Sequence, residues 1–112
     1  MSQDRITKSA RGEECQIRLP DVCNFNPETS VWCHAGGADI KGVGQQADSL
    51  LGAVGCSDCH DVYDRRRKPP FGMTRDDVEL AFWRGHARSL LLPKVRRAIA
   101  AYLADRRIKG LS

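Results

Sequence analysis

Five cysteines in a chain of 112 residues limit what this sequence can fold into. The tightest grouping, Cys56-Ser57-Asp58-Cys59-His60, separates two thiols by two residues, a spacing that lets both thiolates reach one tetrahedral zinc ion at about 2.3 Å. An odd number of thiols cannot all pair within one chain, and in a reducing compartment such a cluster reads as metal chemistry rather than disulfide chemistry. A domain of this size buries only about two thirds of the surface its unfolded chain exposes, so a metal staple answers a need that a thin core leaves open.

A structural zinc site needs a second pair of ligands. Cys15 and Cys23 are the best candidates, although the seven residues between them exceed the usual two to four. Pro20-Asp21 supplies the turn chemistry that folds the two thiols towards each other. Two alternatives stay open. Cys15 and Cys23 can be buried apolar thiols, and because five thiols permit five sets of four, His34 or His60 can replace one thiolate, with Cys33 left over. Bound zinc is expected to contribute on the order of 10 kcal/mol or more to folding.

The formal charge of +4 and a pI near 9.0 point to a polyanionic partner, nucleic acid first. No apolar stretch approaches the roughly 20 residues that cross a bilayer, and Met-Ser-Gln-Asp-Arg lacks the apolar region of a secretion signal. The expectation is a cytoplasmic chain with no membrane partner.

The chain divides into three stretches of one domain. Residues 1–14 are polar, without a sustained period, and are expected to form an extended or frayed arm carrying Arg5, Lys8 and Arg11. Residues 15–68 hold the cysteines. Gln16-Ile17-Arg18-Leu19 and Ser30-Val31-Trp32-Cys33 are short strand candidates, consistent with a hairpin or zinc knuckle. Gly36, Gly37, Gly42 and Gly44 mark a glycine-rich loop that starts just after His34, and without a following Gly-Lys-Ser or Gly-Lys-Thr it is a connector rather than a phosphate cradle. Residues 49–54 are apolar and buried, as either strand or helix.

Ser57 or Asp58 is expected to cap a helix running through Tyr63 towards Arg67, ended by Pro69-Pro70. On it His60 and Asp64, four residues apart, share one face at a spacing that suits two ligands of one metal ion. Residues 69–112 are a helical extension packed on the core. Thr74 and Asp77 form a capping-box pattern opening a helix with a stripe of Val78, Leu80, Ala81 and Phe82. A last helix opens near Pro93, buries Val95, Ile99, Tyr102 and Leu103, and stops before Gly110. The fold class is α+β, and His86, inside a helix, is a structural residue.

Two of the three histidines stand beside cysteines, as Cys33-His34 and Cys59-His60. Two cysteines, a histidine ending a short strand, a loop, then Cys-x-x-Cys-His entering a helix: this order resembles the zinc-bearing HNH (His-Me finger, ββα-metal) endonucleases. More narrowly, Arg5-Ile6-Thr7-Lys8-Ser9-Ala10-Arg11, Cys15, the run from Pro20 to Thr29, His34, and Cys56-Ser57-Asp58-Cys59-His60-Asp61 are similar to the YbcO-like family of prophage nucleases. The resemblance implies a treble-clef-like ββα-metal core, DNA as substrate, and a phage recombination or repair setting. It assigns His34 as the general base and His60 as a ligand of a catalytic Mg²⁺, Mn²⁺, Ni²⁺ or Zn²⁺, to which the four-residue spacing adds Asp64. In many HNH enzymes the residue before the base is a metal-binding Asp; Cys33 stands there, a softer ligand that suits Zn²⁺ better than Mg²⁺. Asp48 is the candidate for the middle Asn that orients the loop carrying the first histidine.

The chemistry accounts for these residue types. A neutral imidazole, with an ordinary pKa near 6.5, can take a proton from water at physiological pH, help worth roughly 10² to 10⁴ in rate. Arg65, Arg66, Arg67 and Lys68 follow the His60 helix and are candidate phosphate contacts. No base-reading element is evident. The competing reading is a non-catalytic zinc finger that binds nucleic acid or another protein.

Overall fold

The computed structural model describes residues 5–36 and 50–111. Its elements run α1 (Arg5–Ser9), a 3-10 turn (Pro27–Thr29), β1 (Val31–His34), β2 (Gly52–Gly55), α2 (Ser57–Tyr63), α3 (Arg75–Ser89) and α4 (Pro93–Leu111). The α+β expectation agrees with this order. Asp48, Gly37, Gly42 and Gly44 lie outside the described residues. Among the described residues no helix is long and apolar enough to cross a membrane.

β1 and β2 form an antiparallel ribbon whose register runs from Val31↔Gly55 to His34↔Gly52. Val and Trp favour the pleated backbone of β1, whereas Gly-Ala-Val-Gly is a weak strand former. Close approach explains both glycines of β2. A Cβ on Gly52 would lie 2.5 Å from Trp32 Nε1, and one on Gly55 would lie 2.7 Å from Ile17 Cδ1.

A two-stranded ribbon is marginal by itself, so its faces and free edge must be covered. At the edge, the Gln16 amide donates to Val54 O at 2.8 Å, and Val54 N–H donates to the Ser89 hydroxyl at 2.9 Å. The faces follow the two-residue alternation of strands. Cys33 and Ala53 meet a core that includes Ile17, Leu19, Val62, Tyr63 and Phe82. Trp32 and Val54 meet Ile6, Ala10 and Val95 on the other side.

That second core corrects the reading of the N-terminal stretch as an extended arm. Residues 5–9 are helical, and Ile6 is fully buried. One apolar side chain in a polar helix is too little to show a period, yet it finds the surface offered by Trp32 and Val95.

Gln16–Leu19 is not a strand. Arg18 and Asp21 adopt left-handed backbone with φ of 55° and 59°, and Leu19 O accepts from both Val22 N (3.2 Å) and Cys23 N (3.0 Å). The result is a tight knuckle that folds Cys23 back towards Cys15.

Helix α2 is capped not by Ser57 or Asp58 but by Cys56, whose sulfur accepts from Cys59 N at 3.4 Å. It ends at Tyr63, earlier than expected, because Arg65 turns left-handed (φ 67°) and Asp61 O takes the amides of Arg66 (2.9 Å) and Arg67 (3.2 Å). The Thr74–Asp77 capping box is present at the start of α3. The buried stripe of α3 is Val78, Phe82, Gly85 and Ser89; Leu80 is half-exposed. On α4 Val95 is buried, Ile99 and Tyr102 pack in part, and Leu103 is half-exposed. The helix continues through Gly110 to Leu111.

Candidate metal centre and catalytic site

The knuckle and the start of α2 bring four thiols together. One sulfur each from Cys15, Cys23, Cys56 and Cys59 lies within 4.8 Å of the other three. Four ligands at about 2.3 Å around a tetrahedral ion stand about 3.8 Å apart, and Cys23 and Cys56 are separated by 3.9 Å. Backbone amides support the sulfurs: Arg18 N donates to Cys15 Sγ at 3.4 Å, and Cys59 N to Cys56 Sγ at the same distance. Such N–H···S contacts favour thiolate, the form that binds metal.

Electrostatics agree with this fit. A contact with the Cys59 thiol brings Cys15 down to about 5, against the penalty of burial. Burial pushes Cys23 up to about 12, and the shared contact with Cys15, followed by burial, raises Cys59 strongly. Cys15 thus favours the thiolate, while Cys23 and Cys59 resist a further negative charge beside it. A dication would offset that repulsion.

Asn24, which the sequence reading passed over, clamps the two arms of this centre. Its Nδ2 donates to Asp58 Oδ2 (2.9 Å) and Ser57 Oγ (3.2 Å), and its Oδ1 accepts from Asn26 N (2.8 Å). Asn24 follows Cys23, while Ser57 and Asp58 lie between Cys56 and Cys59. Its position next to a candidate ligand was the available signal.

Beyond the thiols, His60 Nε2 lies 3.5 Å from Asp64 Oδ2, with both side chains largely buried. That spacing suits two ligands of one cation, whose donors at about 2.1 Å stand roughly 3 to 3.5 Å apart. Asp64 Oδ2 also lies 3.2 Å from an Arg66 nitrogen. Among the described residues, the four cysteines are the group of three or more ligand atoms; Cys33 does not join His60 and Asp64 in one. Cys33 is fully buried in the core, its thiol pushed up by burial.

His34 is partly buried at the end of β1. Two residues on, Gly36 N–H donates to Tyr63 Oη at 2.6 Å, so the chain leaving His34 is fixed to α2 beside His60 and Asp64. Tyr63 stacks on Phe82 (4.0 Å between centroids), and the Arg75 guanidinium lies 5.2 Å from its ring centre. Arg75 also donates to Tyr63 O at 2.8 Å. No periodicity distinguishes this tyrosine from any other core aromatic. His86 is structural: its Nδ1 lies 2.6 Å from Gly52 O.

The basic run is exposed but partly self-neutralised. Arg67 pairs with Asp58 at 2.8 Å, and Arg66 with Asp64 at 3.2 Å and Asp61 at 3.9 Å. Arg65 and Lys68 are solvent-facing beside them.

Fold and site together define a small α+β protein in which a knuckle and a helix start present four cysteines placed to bind a metal ion. The chain belongs to the family described as "Putative nuclease YbcO", whose model matches residues 4–97. Relatives of that name from Escherichia coli (strain K12) and Enterobacteria phage 82 are each 49% identical to it over 61 residues, covering 54% of this chain and 64% of the relative. The alignment thus spans just under two thirds of those relatives' length. A solved structure of a putative bacteriophage protein from Escherichia coli str. K-12 substr. MG1655 superposes with a TM-score of 0.60 at 37% identity, covering 75% of this chain and 89% of that one.

Proposed function

We propose that this chain is a metal-dependent DNA endonuclease of the HNH (His-Me finger) type, acting in phage or prophage recombination or repair. The observation that carries the reading is the Gly36–Tyr63 hydrogen bond, which joins the end of the His34 strand to the helix bearing His60 and Asp64. The order β1, β2, α2 among the described elements supports a ββα arrangement, and the relatives' name supports a nuclease.

In this mechanism His34 takes a proton from water, the water oxygen attacks phosphorus, and the bond from phosphorus to the leaving oxygen breaks. His60 and Asp64 hold a divalent cation (Mg²⁺, Mn²⁺, Ni²⁺ or Zn²⁺), which supplies charge neutralisation at the scissile phosphate and leaving oxygen. Asp48 takes the role of the middle Asn of the HNH motif. Arg65, Arg66, Arg67 and Lys68 contact backbone phosphates, and Cys15, Cys23, Cys56 and Cys59 hold a structural Zn²⁺. Cys33 is left out as a ligand, because its sulfur belongs to the apolar core.

The test is nicking of supercoiled plasmid with each of the four cations, by wild type and His34→Ala, with zinc content measured in parallel. Wild type should nick with at least one cation, and the variant should be roughly 10²- to 10⁴-fold slower. Equal rates would sink the mechanism.

Two observations favour a second reading, a zinc-held module that binds nucleic acid without cutting it. Strand alternation assigns His34 to the sheet face of Trp32, whereas α2 packs on the face of Cys33. Asp64 is also already paired with Arg66. Retained DNA binding with no nicking under any cation would decide for it.

A further inference from the structure

An open cleft of about 500 Å³ runs between the cysteine knuckle, the turn after Pro70 and the outer face of α3. The nuclease reading makes no use of it. Its rim carries Phe71, which is wholly exposed. Phe71 is held in a tight turn: Met73 N–H donates to Pro70 O at 3.0 Å, and Gly72 takes the left-handed backbone (φ 90°) that such a turn requires of its third residue. A large ring standing in solvent contributes nothing to the core and costs solubility. Half-exposed Leu80 continues the apolar rim.

The polar part of the lining is cationic. Arg18, Arg84 and Arg88 all face the cleft, and among the described residues none of the three is paired with a carboxylate. Their hydrogen bonds go to neutral oxygens: Arg18 Nε to Cys15 O at 3.1 Å, and Arg88 Nε to Gln16 O at 3.1 Å. Burial, then the charges of Arg18 and Arg84, hold Arg88 below its ordinary value, a sign of how crowded the three cations are. Two acids, Asp21 and Asp77, also line the cleft, and Asp77 accepts from Thr74 N at 2.8 Å at the start of α3. Against three guanidinium groups the two carboxylates leave the lining one positive charge in excess.

We infer that this cleft binds unpaired nucleotides of a DNA strand, with a base stacked on Phe71 and the flanking phosphates on Arg84 and Arg18. An exposed aromatic face beside guanidinium groups is what single-strand recognition uses, because every base has a π-face and every linkage an anion. Paired bases within a duplex do not expose such a face. The basic run Arg65–Lys68 precedes Pro69-Pro70 and Phe71 in the chain, so further cations stand within a few residues of the cleft. The inference rests on the nucleic-acid part of the proposed function and not on cleavage, and it makes the substrate a DNA with a single-stranded segment.

The experiment is fluorescence anisotropy with labelled twelve-residue oligo-dT and with a blunt duplex of equal length. It uses the zinc-loaded full chain with Ca²⁺ in place of a cleavage-supporting cation, across a salt series. Phe71→Ala, at a position with no core contacts to lose, should weaken oligo-dT binding roughly 5- to 100-fold and leave duplex binding within about two-fold. Arg84→Ala should weaken it less and lower the salt slope by about one. Equal affinity of Phe71→Ala and wild type for oligo-dT would overturn the inference, as would wild type failing to bind oligo-dT. A wild-type dimer that becomes monomeric in Phe71→Ala would give the cleft to a second copy and also overturn it. Selective oligo-dT binding by a protein that never nicks plasmid upholds the cleft while ending the nuclease reading; nicking with unaltered oligo-dT binding in Phe71→Ala does the reverse.

Discussion

Gly36 N–H donates to the hydroxyl of Tyr63 across 2.6 Å, linking the residue two past His34 to the residue three past His60. Tyr63→Phe keeps the ring stacked on Phe82 and removes only the acceptor. The expected cost is about 1 kcal/mol in urea unfolding, the scale of one hydrogen bond. The plasmid-nicking rate should fall by more than that destabilisation accounts for, because the His34 loop loses its anchor to α2. Unchanged nicking would remove the anchor from the mechanism.

Burial pushes the Tyr63 phenol up to about 12, from an ordinary value of 10. The folded chain therefore holds this proton more tightly than the unfolded chain, and stability falls as pH rises from about 10 towards 12. Phenolate absorbance that emerges only near the top of that window should be missing from Tyr63→Phe.

Among the cysteines, Cys56→Ser and Cys33→Ser should part company. Cys56 is a ligand candidate, so its serine variant should lose zinc in a colorimetric assay and unfold at far lower chelator concentration. Cys33→Ser should keep one zinc per chain yet lose about 1 to 3 kcal/mol, the cost of placing a hydroxyl in an apolar core. Loss of zinc from both variants would reassign the ligand set.

Arg66 competes for the carboxylate that the catalytic reading gives to a metal ion. Asp64→Asn should cut nicking by about 10²-fold or more, whereas Arg66→Ala should tighten the cation dependence by freeing Asp64. Titration of nicking rate against Mn²⁺ separates the two. An Asp64→Asn variant with wild-type rates would exclude this carboxylate.

The packing of α3 on the ribbon and the knuckle rests on two small residues. Ser89→Ala strands the buried Val54 N–H and should cost about 1 to 3 kcal/mol. In Gly85→Ala the new Cβ would sit 2.9 Å from Gln16 O and 3.0 Å from Ile17 Cα, backbone atoms that cannot turn aside. A loss of about 1 to 3 kcal/mol is expected there too, together with faster zinc release, since Gln16 adjoins Cys15. Denaturant unfolding with a zinc-release dye reads both.

Much of this architecture was legible because its causes are local. The Cys56–Cys59 spacing, the Thr74–Asp77 capping box, the proline that opens α4 and the His60–Asp64 interval each follow from geometry within one or two helical turns. Composition also limited the chain to a thin core in need of a staple. Elsewhere the local signals are weak: a single buried Ile6 cannot announce a helix, and left-handed Arg18 and Asp21 bear no glycine to mark the knuckle.

The sequence by itself determined which atoms were available: five thiols, two of them at the spacing of a zinc pair, two histidines beside cysteines, and a surplus of positive charge. Only the tertiary structure decided which of them meet. It gathered Cys23 with Cys56 across 33 positions, sent Cys33 into the core, drew Asp64 onto Arg66, and set Phe71 beside Arg84 on an open cleft. The reason is physical. Contacts between distant segments are settled by which faces remain to be buried once local elements form, and that is a property of the whole packed chain.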